Sequence, residues 1–132
     1  MKRTLLTLAI VAFLAGVTAS AHHSFAAYYF ENQSTTVEGE VQEFQLRSPH
    51  ALLMVRARTP EGTLETYTAE WSNPRRLTES GVTKDTLKPG DLVVVTGSPG
   101  RNPADRKLHL KGIRRPADGW AYGTAARRRG TR

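Results

Sequence analysis

Hydrophobic and polar positions alternate with period two in several separate stretches of this chain, and each stretch predicts a strand. From Thr35 to Leu46, Val37, Gly39 and Val41 share one parity while Glu38, Glu40 and Gln42 take the other. Phe44 and Leu46 fall on the opposite parity, and one extra residue near Gln42-Glu43 would return them to the inner face, as a β-bulge does. Ala51 to Arg58 (ALLMVRAR) and Thr63 to Trp71 (TLETYTAEW) read as a hairpin turning at Pro60-Glu61-Gly62. Asn73 can cap a helix and Pro74 suits its first position, so a short helix is predicted from Pro74 to about Ser80, with Gly81 stopping it and Leu77 buried. Leu92 to Gly97 is a fourth strand, apolar on both faces. Lys107 to Arg115 (KLHLKGIRR) is the fifth, with Leu108 and Leu110 inward and Gly112 permitting a second bulge before Ile113.

Five strands with one short helix between the third and fourth predict an all-β fold, a five-stranded OB-like barrel. The bulges suit it, because a strand must bend to turn a barrel corner. A small open β-sandwich is the alternative architecture.

The two ends of the chain differ from this middle. Lys2 and Arg3, the apolar run Leu5 to Val17, and Ala19-Ser20-Ala21 have the layout of a secretory signal over residues 1–21. The run is shorter than the roughly 20 residues that span a bilayer. The expectation is therefore an exported, periplasmic protein that is not an integral membrane protein after cleavage. Residues 22–34 are aromatic, and Phe25, Tyr28, Tyr29 and Phe30 are expected to pack this segment on the domain at 35–116. Residues 117–132 are expected to be a basic flexible tail ending in Arg127-Arg128-Arg129 and Arg132.

Composition narrows the chemistry. The 132 residues carry a formal net charge of +7 and include no cysteine, which excludes disulfides, thiolate metal ligands and a cysteine nucleophile. No glycine-flanked nucleophile elbow surrounds a serine, no phosphate-cradling loop is present, and Glu40, Glu43, Glu65 and Glu70 read as a wet sheet face. The expectation is a binding module and not an enzyme. Export makes nucleic acid an unexpected partner and an anionic envelope component a better one.

The sharpest signal is His22-His23, directly after Ala21. Cleavage there would give His22 a free amine beside its imidazole, a chelate suited to the tetragonal nitrogen ligation of Cu(II). Cleavage after Ala19 would instead place a histidine third from the amine, which also wraps Cu(II) or Ni(II). His23 and His50 are the other candidate ligands. His109, between Lys107 and Lys111, is expected to face solvent. Copper is thus the candidate cofactor, with a copper-dependent redox enzyme as a further reading. A second binding surface could be built from Tyr67, Trp71 and Arg75 and would suit an anionic or saccharide polymer. Trp71 has a core reading beside it.

Four stretches together resemble the DUF6152 family of small exported bacterial proteins: His22-His23-Ser24-Phe25-Ala26, Ser48-Pro49-His50-Ala51, Trp71 with Asn73-Pro74, and Leu87-Lys88-Pro89-Gly90-Asp91. Members more often carry Asn-Pro-His where this chain has Ser48-Pro49-His50. The resemblance covers about residues 22–116. It implies a small OB-like barrel and supplies no reaction or ligand, so function must be argued from the site.

Overall fold

The computed structural model describes residues 24–127. The proposed signal, His22 and His23 lie outside the described residues, as do the last arginines of the basic tail. Six strands form one sheet: β1 Thr35–Gln45, β2 Leu52–Arg58, β3 Leu64–Glu70, β4 Leu92–Pro99, β5 Lys107–Arg115 and β6 Trp120–Gly123. The helix α1, Pro74–Glu79, joins β3 to β4, and a short turn α2, Thr124–Arg127, follows β6.

The first five strands close on themselves. They pair antiparallel in the order β3-β2-β1-β4-β5, and a parallel pairing of Thr68–Glu70 with Lys107–His109 joins the two ends. The fold is the five-stranded OB-like barrel, and the sandwich alternative does not apply. Both bulges fall where parity demanded them. β1 slips register between Val41 and Glu43. In the β4–β5 ladder, Thr96 faces Gly112 and Gly97 faces Leu110, so Lys111 is the extra residue. Gly39 is required where β1 bends over β2, because a Cβ there would collide with the Arg56 carbonyl.

The barrel interior is filled by inward side chains, among them Val41, Leu53, Val55, Val95 and Ile113, each at most 1 % exposed. α1 plugs one end. Asn73 Oδ1 accepts from the Arg76 amide at 2.9 Å, and Leu77 is fully buried beneath the helix.

Two expectations about segment character need correction. The stretch after residue 116 is not tail throughout, since Trp120–Gly123 is a sixth strand paired with β5. The cause is an open edge. β3 covers β5 only over Lys107–His109, leaving Gly112–Arg115 to pair elsewhere. Arg115 holds the intervening turn, its Nη2 donating to Asp118 at 2.8 Å. Gly112 lets the β6–α2 corner approach, since a Cβ there would strike Thr124. Trp120 and Tyr122 then pack on the core. The second correction concerns the N-terminal aromatic segment. Tyr29 is buried and pairs with Gly100, but Tyr28 is 62 % exposed.

Candidate histidine pocket

The site forms where the barrel closes. In the parallel seam, Glu70 of β3 and His109 of β5 are register partners. Ahead of β2, a cis Ser48–Pro49 bond precedes His50, and Ala51 bonds back to Ser72 and Trp71, so His50 stands beside the end of β3. The N-terminal segment then lies over the seam. Ser24 caps a turn of 3-10 helix, Phe25–Ala27, and Arg101 donates twice to the Ala26 carbonyl at 2.9 and 2.7 Å.

Phe25 packs against both histidines. Its ring stacks on His109 with centroids 3.5 Å apart and planes 4° from parallel, and lies 4.9 Å from the His50 ring. Each histidine is pinned through Nδ1. His50 Nδ1 meets Glu70 Oε1 at 2.6 Å, and His109 Nδ1 meets Glu31 Oε1 at 2.8 Å. The second carboxylate oxygens are engaged too. Tyr29 donates its hydroxyl to Glu70 Oε2 at 2.7 Å, and Lys111 donates Nζ to Glu31 Oε2 at 2.6 Å. No buried side-chain nitrogen or oxygen among the described residues lacks a partner.

The electrostatics follow from this packing. Burial, helped by the neighbouring Lys111, holds His109 below the usual histidine range despite the Glu31 hydrogen bond. A neutral His109 meets its carboxylate by carrying the proton on Nδ1, which leaves Nε2 with a free lone pair. Burial would raise the Glu31 carboxyl, but the hydrogen bonds from Lys111 and His109 prevail and hold it below the usual carboxylate range. Burial and the Glu70 hydrogen bond push the Tyr29 phenol upward, so it stays protonated.

Beside the histidines opens a pocket of about 460 Å³, lined by Phe25, His50, Trp71, Ser72, Asn73, Arg76, His109, Leu110, Lys111 and Tyr122. Trp71 is 2 % exposed and meets Tyr122 edge-on at 5.0 Å, so it is a core residue whose edge forms part of the pocket wall.

The residues proposed from sequence separate here. His50 is at the pocket, whereas His22 and His23 lie outside the described residues. Tyr67 is in the core beneath the Arg106 guanidinium and lines a different pocket of about 230 Å³ with Phe30, Pro103 and Arg106. Arg75 is on the outer face of α1, paired with Glu79 at 2.9 Å. Tyr67, Trp71 and Arg75 therefore do not form one surface. His109 is the residue that sequence reasoning set aside, and its solvent-facing assignment is corrected. Its side chain is only 14 % exposed, because the N-terminal segment covers that face of β5. Glu70 likewise leaves the wet face to bind His50 and Tyr29.

Family comparison matches residues 10–109 to DUF6152, a family of unknown function. The chain belongs to the DUF6152 family. No curated protein matches this DUF6152 chain. Among solved structures it is similar to the mitochondrial single-stranded DNA-binding protein Rim1 of S. cerevisiae, at 17 % identity and a TM-score of 0.45, over 61 % of this chain and 90 % of that one. It is also similar to a small single-stranded DNA-binding protein from Streptomyces coelicolor, at 19 % identity and a TM-score of 0.38, over 63 % and 90 %. Among the described residues no group of three or more His, Cys, Asp or Glu side chains could hold a metal ion, and no helix is long and apolar enough to cross a membrane.

Proposed function

We propose that this chain is an exported, periplasmic OB-like binding module that holds one Cu(II) ion through histidine nitrogens. The observation that carries the reading is the pair of carboxylate-tethered imidazoles, His50 on Glu70 and His109 on Glu31, lining one pocket. Metal-binding histidines characteristically donate their other ring nitrogen to a carboxylate, which fixes the ring and makes Nε2 the available donor. The described residues alone supply too few ligands for a closed site. The remainder would come from His22 and His23. His23 is bonded to Ser24, and Phe25, the next residue, packs on both imidazoles. Processing after Ala21 would add the His22 α-amine and imidazole, and a nitrogen-rich set of this kind favours Cu(II).

The experiment is mass spectrometry of the exported protein to locate its first residue, followed by Cu(II) titration. One equivalent should bind, and His22→Ala or His50→Ala should weaken it strongly. Binding no tighter than to an unrelated exported protein, or indifferent to both substitutions, would overturn the reading.

A further inference from the structure

The pocket is far larger than one metal ion needs, and its remaining lining has a consistent chemistry. Its lining residues include no aspartate or glutamate, while Arg76 and Lys111 contribute two cations. Lys111 is neutralised by Glu31 at 2.6 Å. Arg76 makes no side-chain ion pair or hydrogen bond among the described residues, so its charge is available to a ligand. The neighbouring polar groups offer donors. The Asn73 side-chain oxygen is taken by the Arg76 amide, leaving its NH₂, and Ser72 brings a hydroxyl. The lining also includes the aromatic side chains of Phe25, Trp71 and Tyr122. Polar groups beside aromatic ones, in a volume of this size, fall within the range of small-molecule sites.

We propose that this pocket binds a small organic carboxylate with a flat apolar body, the carboxylate on Arg76 and the body against Tyr122 and the edge of Trp71. Guanidinium is the side-chain cation best matched to a carboxylate, because its planar fork can donate two parallel hydrogen bonds. A neutral sugar would make no use of the Arg76 charge. The proposal does not depend on copper, although a carboxylate would also offset the charge of a metal ion bound at the histidines.

The test uses the purified protein stripped of metal with a chelator, with benzoate as probe and benzyl alcohol as its uncharged counterpart, followed by calorimetry or ligand-observed NMR. Benzoate should bind saturably and one to one, with benzyl alcohol weaker by about tenfold or more, as expected for loss of a charge-assisted hydrogen bond. Arg76→Gln should weaken benzoate by a similar factor and leave benzyl alcohol and the thermal midpoint unchanged, since Arg76 is exposed and the Asn73 cap uses its backbone. Tyr122→Leu should weaken both probes. Equal binding of the two probes, saturable binding of neither, or full benzoate affinity in Arg76→Gln would overturn the proposal. Cu(II) affinity of Arg76→Gln, measured separately, should match the parent, so failure here is distinguishable from failure at the histidines.

Discussion

The two histidines of the pocket are held by the same device under different electrostatics. His50 rests on Glu70, whose other oxygen is held by the neutral Tyr29 hydroxyl. His109 rests on Glu31, whose other oxygen is held by the Lys111 ammonium. Among the described residues, no cationic side chain of Lys or Arg pairs with the Glu70 carboxylate behind His50. The charge of Glu31 is cancelled by a cation beside the ring it supports. Both rings are oriented, but a bound metal ion would gain more electrostatic stabilisation at the His50 side. The difference would rank the two proposed ligands, which ring orientation alone would not do.

The contrast can be broken most severely through the rings. His50→Ala should lower Cu(II) affinity by roughly 100-fold or more, and His109→Ala by about tenfold, because loss of a ligand should cost at least what loss of its tether does. Equal losses, measured by competitive titration against a chelator, would remove the ranking. The tethers come next. Glu70→Gln keeps an acceptor for His50 but discharges it, and should cost on the order of tenfold in Cu(II) affinity. Glu31→Gln should cost about as much, because it removes the same unit of negative charge and leaves the Lys111 ammonium unpaired beside His109. Tyr29→Phe removes a hydrogen bond to a carboxylate and should cost about 2 kcal/mol of folding stability by urea denaturation.

The smallest expected effect is on pH dependence in the metal-free protein. His109 sits below its ordinary range when folded, so the unfolded chain takes up a proton near pH 6.5 that the folded chain resists. Its contribution to stability is complete above that pH and declines as the pH falls through it. The depressed Glu31 carboxyl acts in the same direction at lower pH, its contribution being lost below about 4.5. The urea midpoint of His109→Gln should therefore vary less between pH 7 and 5 than that of the parent.

Much of the barrel was legible in the chain because strand parity is a local signal. The change of face between Val41 and Phe44 demanded an extra residue, and the register slips there. Asn73-Pro74 and Gly81 bounded the helix by their own backbone preferences. The sixth strand was hidden because it depends on an edge left open by β3, a fact of closure that no pattern within residues 117–132 carries. The pocket was hidden for a related reason. Lys107, His109 and Lys111 share a polar parity, and polar parity on a strand normally means water. What the pattern does not reveal is that Phe25 and Glu31, more than 70 residues earlier, fold over that face and convert it into a covered site. His50 could be singled out from its place after Pro49, while its partner Glu70 had the spacing of an ordinary exposed strand residue.

The most direct test is electron paramagnetic resonance of the protein prepared with His22 as its first residue and loaded with one equivalent of Cu(II), compared with His50→Ala and His109→Ala. The account predicts a tetragonal, nitrogen-rich signal in the parent, with nitrogen couplings altered in both variants and more strongly in His50→Ala. A parent spectrum unchanged by either substitution would place the copper away from the pocket and contradict the account.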